Sequence, residues 1–217
     1  MAGGKGLRMG SDIPKQFIEI AGLPVLMHSI NRFIQFDSNI EVIVPMPVSH
    51  IGFWNELCQK YNFDNIHRVV EGGESRFHSV LNGLNTITAT NGLVAVHDAV
   101  RPLVSGNTIS RCFETAAKEG NAIPVIEMVD SARIVEGNTS RIIDRNALKR
   151  IQTPQVFSLE LLRKAYKQTY SESFTDDASV VEQLGEAIHL VDGNSENIKI
   201  TEKIDLLLAE QLILRPF

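Results

Sequence analysis

Apolar residues along the 217-residue chain fall into two alternating patterns. Short runs rich in β-branched side chains predict strands, and longer stretches with apolar positions at helical spacing predict helices. Strands are expected at 41–44, 68–71 and 93–96, and helices at 53–61, 77–87 and 107–119. The run Leu93-Val94-Ala95-Val96 is wholly apolar, as a central strand covered on both faces requires. Within 107–119, Ile109, Cys112, Phe113 and Ala116 recur at helical spacing, and Gly120 provides a stop. This alternation predicts an α/β fold, Rossmann-like, with a mostly parallel doubly wound sheet and helices on both faces.

The alternation breaks between about 130 and 152. There 132–136 and 141–143 flank Gly137-Asn138-Thr139-Ser140 and read as a β-hairpin. It has too few large apolar residues for a core of its own, so it is expected to project as an arm. The last third returns to α/β form. Ser158 and Thr175 read as N-caps, Gly185 as a helix stop, and 188–191 as a strand. Thr201 is expected to cap a closing helix with Ile204, Leu207, Leu208 and Leu212 as its buried stripe. A doubly wound sheet opens with a buried strand leading into its first glycine turn. Here that turn begins at residue 3, so the usual first strand is expected to be missing from the chain.

Composition narrows the function classes. A net charge of -5 argues against a general nucleic-acid binder, which carries a basic face. Cys58 and Cys112 have no paired spacing and indicate neither a disulfide framework nor a zinc site. No apolar run approaches the roughly 20 residues of a spanning helix, and residues 1–5 lack the apolar segment of a signal peptide. A cytoplasmic protein without membrane or nucleic-acid partners is expected.

The segment richest in chemistry is Gly3-Gly4-Lys5-Gly6-Leu7-Arg8-Met9-Gly10, followed by Pro14-Lys15-Gln16-Phe17. Glycines let successive backbone N–H groups curve into an anion-binding nest, and Arg8 and Lys15 add two cations. A triphosphate needs both. The segment is neither a P-loop, lacking Gly-Lys-Ser/Thr, nor a dinucleotide fingerprint, lacking the third glycine. Next, His97-Asp98-Ala99-Val100-Arg101-Pro102 follows the apolar strand, placing Asp98 and Arg101 at a carboxyl end, where open α/β sheets bind ligands. Arg101 suits a phosphate, and Asp98 suits hydroxyl groups or the vicinity of a metal; His97 reads as structural. Glu71-Gly72-Gly73-Glu74-Ser75-Arg76 is a second glycine turn at a helix start, suited to a base or sugar. Thr175-Asp176-Asp177 reads as an N-cap with acidic residues at the positive end of the helix dipole.

Together with Gln152-Thr153-Pro154-Gln155, Asp144-Arg145-Asn146-Ala147-Leu148 and Asn197-Ile198-Lys199, these segments resemble the 2-C-methyl-D-erythritol 4-phosphate cytidylyltransferases. The resemblance covers essentially the whole chain. It implies a single nucleotidyltransferase-type domain over 1–217 with its β-arm at about 130–152. It implies transfer of a cytidylyl group from CTP to methylerythritol phosphate. Arg8, Lys15, Arg145 and Lys199 take the catalytic positions, and Asp98, Arg101, Ser131 and Thr153 hold the polyol phosphate. Ser131 stands where relatives often have Thr. Gly3, Gly4, Gly6, Gly72, Arg76 and Ser79 fall on the nucleotide side. Mg²⁺ is implied on the CTP phosphates with no dedicated protein ligands. A homodimer is implied, in which the arm brings Ser131 and Arg145 to the partner's site. A ribitol-5-phosphate cytidylyltransferase and a nucleotide-binding protein without catalysis remain as alternatives.

Overall fold

The computed structural model describes residues 13–65 and 67–215. The expectations for Gly3, Gly4, Gly6 and Arg8 therefore lie outside the described residues. A 3-10 turn at Lys15–Phe17 leads into a small antiparallel pair, β1 (Glu19–Ile20) and β2 (Leu23–Pro24), and then α1 (Val25–Phe36). β3 (Val42–Met46), α2 (Val48–Lys60) and β4 (His67–Glu71) form a parallel βαβ unit, with Val42 opposite His67 and Met46 opposite Glu71. α3 (Arg76–Asn85) carries the chain to β5 (Leu93–Val96), and α4 (Gly106–Glu119) to β6 (Asn121–Glu127). α4 is bounded as its sequence dictates. The Ser105 hydroxyl accepts from the Thr108 N–H, and Gly120, at φ +88°, closes the helix with an N–H···O bond to Ala116.

The expected hairpin follows as β7 (Ala132–Glu136) and β8 (Thr139–Ile143), with Glu136 opposite Thr139. Its turn is only Gly137-Asn138, with Gly137 at φ +59°. A 3-10 turn at Arg145–Ala147 and β9 (Lys149–Ile151) bring the chain back antiparallel to β6. β10 (Gln155–Ser158) then runs antiparallel between β5 and β6. α5 (Leu159–Ala165), α6 (Asp177–Glu182), β11 (Leu190–Asp192) and α7 (Lys203–Leu214) complete the chain. Because β10 opposes both neighbours, β5 and β6 point the same way, and β11 lies parallel to β6. The sheet is thus mixed α/β, with a mostly parallel main direction.

Two apolar layers hold this together. Phe77, Val96, Phe157 and Leu162 pack where α3 and α5 meet the β5–β10 face, with Cys112, Ala116 and Val156 on the α4 side. Phe17, Met27, Met46 and Trp54 form a second core around β3. Between the two halves, β3 and β5 each have one strand partner among the described residues, β4 and β10 respectively. The space separating them is a cavity of about 310 Å³. α1 lines one side through Leu26, Ile30 and Phe33, and α3 the other through Val80 and Leu84.

Two features differ from the pattern reading. The N-caps of α6 and α7 are each one residue later than expected, Asp176 rather than Thr175 and Glu202 rather than Thr201. On α7, Ile204, Leu207 and Leu208 are exposed; Ala209 is buried, with Leu206, Leu212 and Ile213 partly buried against Ile20, Val25 and Val100. Three consecutive leucines at 206–208 leave helical periodicity unable to choose the docked face. Among the described residues no helix is long and apolar enough to cross a membrane.

Candidate active site

The carboxyl end of β5 is organised by one hydroxyl. The Asp98 N–H donates to Thr153 Oγ1 at 3.0 Å, and the same Oγ1 lies 3.0 Å from His97 Nδ1. His97 Nε2 sits 3.0 Å from the Arg101 carbonyl, which can only accept, so Nε2 carries the proton and Nδ1 accepts from Thr153. Burial pushes the His97 pKa down to about 4, keeping the ring neutral. It therefore stitches β5 to the Gln152–Gln155 segment as a structural residue. A cis Thr153–Pro154 bond lies between Thr153 and β10.

Around this frame the charges converge. Asp98 Oδ2 receives Arg101 Nε at 3.2 Å and Lys199 Nζ at 3.1 Å. Burial pushes the Asp98 pKa up, but the Lys199 and Arg101 charges outweigh it and hold the carboxyl well below its usual range. Arg101 Nη1 also donates to the Asn197 carbonyl at 2.8 Å, and Arg150 of β9 lies close enough for its charge to act on Arg101. Asn197 is fully buried; its Nδ2 donates to the Thr153 carbonyl at 2.9 Å, while its Oδ1 has no partner among the described residues. Lys199 is held in register because the Ile200 N–H donates to the Val100 carbonyl. Lys15 comes near the same end of the molecule, since its charge acts on Asp205 in the first turn of α7.

The second wall is the 71–76 loop at the carboxyl ends of β3 and β4. The Gly72 N–H donates to the Met46 carbonyl at 2.8 Å, and the Gly73 N–H to Ser79 Oγ at 3.0 Å. A Cβ on Gly73 would fall 2.3 Å from His78 Cβ, so only glycine lets the loop fold this tightly over the start of α3. Ser75 caps α3, and Arg76, its first residue, pairs with Asp177. Arg76 and Asp98 lie within electrostatic reach of each other, so the two walls share one mouth.

The structure thus brings together Asp98, Arg101, Thr153 and Lys199, with Arg76 across the mouth and Gly72 and Ser79 behind it. Ser131 and Arg145 stand apart, exposed at the base of the hairpin just before β7 and just after β8, where Arg145 Nη1 donates to the Val129 carbonyl at 2.8 Å. Among the described residues no hydrogen bond or ion pair links either to Asp98 or Lys199. Sequence reasoning named Gln152 and Asn197 within motifs but gave them no role, and it missed Arg150. A buried amide in a motif, or a cation on an edge strand, has no periodic signal; only the proximity of Gln152 to Thr153 hinted at it. A neutral frame carrying several cations and one engaged carboxylate suits a phosphorylated polyol, whose hydroxyls need acceptors and whose phosphate needs Arg or Lys.

The family described as 2-C-methyl-D-erythritol 4-phosphate cytidylyltransferase matches residues 1–215. The chain is 51% identical over 213 residues to the enzyme so named from Phocaeicola vulgatus, covering 98% of this chain and 97% of that one. It is 48% identical to the Bacteroides fragilis counterpart over the same shares. Among solved structures, the Thermus thermophilus cytidylyltransferase superposes with a TM-score of 0.78 at 32% identity, covering 93% of this chain and 94% of the other. The Francisella tularensis enzyme gives 0.79 at 32% identity, covering 96% and 94%.

Proposed function

We propose a division of roles from the premise that the chain belongs to the 2-C-methyl-D-erythritol 4-phosphate cytidylyltransferase family. The reaction is transfer of a cytidylyl group from CTP to methylerythritol phosphate, giving 4-diphosphocytidyl-2-C-methyl-D-erythritol and pyrophosphate. The observation that carries the assignment of roles is the Asp98–Arg101–Lys199 cluster at the carboxyl end of β5. A substrate phosphate oxygen attacks the α-phosphorus in line. The bond from that phosphorus to the bridging oxygen breaks, and pyrophosphate leaves with the electron pair. With a second pKa of about 6, the phosphate is already ionised at neutral pH, so no general base is needed. What the protein supplies is position and charge. Arg101 and Thr153 hold the incoming phosphate, Asp98 accepts from its polyol hydroxyls, and Arg8, Lys15 and Lys199 stabilise the triphosphate. The glycines at 3, 4 and 6 cradle it, while Gly72, Arg76 and Ser79 face the nucleoside.

Mg²⁺ is proposed to arrive on the CTP phosphates. No group of three His, Cys, Asp or Glu side chains among the described residues is arranged to hold an ion. Asp98, already engaged by two cations, suits a metal carried mainly by substrate oxygens. The ion lowers the charge that the triphosphate presents to an incoming anion.

The hairpin is proposed to complete the site of a second subunit through Ser131 and Arg145. Exposed Val129, Val135 and Ile142 on this segment support an arm that is covered in a homodimer. The cavity between β3 and β5 is proposed as the place of the sheet's first strand. Two strand edges and two helix faces enclose it, and amide exchange at Val44 and Ala95 reads whether a strand there protects them.

Pyrophosphate release from CTP and Mg²⁺, with methylerythritol phosphate and ribitol 5-phosphate offered separately, tests the assignment. Release with methylerythritol phosphate alone is expected. Release with ribitol phosphate alone transfers the assignment to that substrate, and silence with both leaves a nucleotide-binding protein.

A further inference from the structure

Asp177 is fully buried at the start of α6. One oxygen pairs with Arg76, 101 residues earlier in the chain, and the other accepts from the Tyr166 hydroxyl at 2.6 Å. Its neighbour Asp176 is tied to the sheet: Gln155 Nε2 donates to Asp176 at 2.6 Å, and Gln155 Oε1 accepts from the Ala178 N–H at 2.9 Å. Gln155, fully buried, is two residues from Thr153. The Tyr166 ring stacks on Phe77, the residue after Arg76, at 4.6 Å between centroids. The start of α6, the start of α3 and the Thr153 segment are therefore one hydrogen-bonded unit.

Such a unit is an expensive way to gain stability. A buried ion pair often contributes no more than the apolar side chains it displaces, and a buried carboxylate must have every lone pair satisfied. What it does supply is orientation. Arg76 remains about 29% exposed while Asp177 is at 0%, so the pair has one sealed end and one end open to solvent, within electrostatic reach of Asp98. A guanidinium has five N–H donors, and the edge held by Asp177 leaves others for an acceptor outside.

We propose that Asp177, backed by Tyr166, is a positioning residue that holds the Arg76 guanidinium for contact with CTP. This rests on the assignment of the 71–79 loop to the nucleotide side. It goes beyond it by giving the Thr175-Asp176-Asp177 motif a task in CTP binding besides capping α6.

The test is calorimetric titration of the full chain with CTP and Mg²⁺, together with steady-state rates. Asp177→Asn keeps shape and removes the charge; its Kd and KM for CTP are expected to rise about tenfold, with kcat and the KM for methylerythritol phosphate within roughly threefold of wild type. Added to Arg76→Lys, it is expected to cost nothing further, because the two act through one guanidinium. Unchanged CTP affinity in a folded Asp177→Asn protein overturns the proposal, as does a loss shared equally by both substrates or fully additive single effects. Should Asp177→Asn fail to fold, Tyr166→Phe keeps the ring stack and removes one donor to Asp177. A rise of about twofold or more in Kd is then expected, and a wild-type value overturns the proposal. A wild-type chain that binds no CTP overturns the nucleotide assignment itself, a result distinct from any of these.

Discussion

At Thr153 a single hydroxyl accepts from the Asp98 amide and donates to the His97 ring, so substrate-side geometry and the tautomer of a buried histidine are set by the same atom. The arrangement has a pH signature. His97 titrates near 4 when folded and near 6.5 when unfolded, so at pH 7 both states are neutral. As pH falls below 6.5 the unfolded chain takes up the proton and the native one does not. Stability is therefore complete above about pH 6.5 and is lost between there and pH 4, by roughly 3 kcal/mol from this group. Burial of His28 lowers its pKa too and adds in the same direction. The stabilisation from Asp98, held low by its cations, is fully present above the ordinary carboxylate pKa and is lost only as pH falls below it. Urea unfolding at pH 7, 6, 5 and 4 should show the loss, and His97→Gln should flatten it; an equally steep profile in that variant would assign the protons elsewhere.

Among the elements, the loop from Glu71 to Ser75 is the most constrained by a missing side chain. Gly73→Ala places a methyl group 2.3 Å from His78 Cβ and 2.9 Å from its carbonyl carbon, so the first turn of α3 must shift. The expected result is a loss of about 1–3 kcal/mol in stability and a raised KM for CTP, with less change in the KM for the polyol phosphate. Kinetics on both substrates checks the split. Elements of this kind were readable in the sequence where periodicity and punctuation agreed. β5 falls where Leu93-Val94-Ala95-Val96 predicts it, α4 ends at its glycine, and the hairpin forms at Gly137-Asn138. The antiparallel insertion of β10 was not readable, because Gln155-Val156-Phe157-Ser158 looks the same in either direction. The docked face of α7 was lost among its leucines. Asp177 was read as a capping acid because its partners, Arg76 and Tyr166, are brought to it only by the tertiary fold. The charged cluster was largely legible, since Asp98 and Arg101 follow a strand whose end is fixed by its own apolar run.

Whole-molecule behaviour follows from where the site's parts are carried. With Lys199 on the body and Arg145 on a hairpin proposed to reach a second subunit, two inactive variants should restore each other. In a 1:1 mixture of Lys199→Ala and Arg145→Ala chains, half the dimers are mixed and each has one intact site, so recovery approaches about a quarter of wild-type activity. Activity no higher than that of the separate variants would place both residues in one subunit's site.

The gap between β3 and β5 gives the mouth a temperature. The loop bearing Arg76 hangs on the β3–β4 unit and Asp98 on the β5–β10 unit. Among the described residues no strand ladder joins these units. They are coupled by α1, whose Ser29 Oγ donates to the Ala99 carbonyl at 2.9 Å and whose Arg32 Nε donates to the Pro102 carbonyl at 3.0 Å, and by α3 with its Arg76–Asp177 tie. Wherever the place proposed for the first strand is left empty, side-chain ties loosen at lower free energies than a continuous ladder, so the halves part as a sub-global opening well short of unfolding. Warming then widens the mouth first, and CTP affinity falls away over a range in which the chain is still folded.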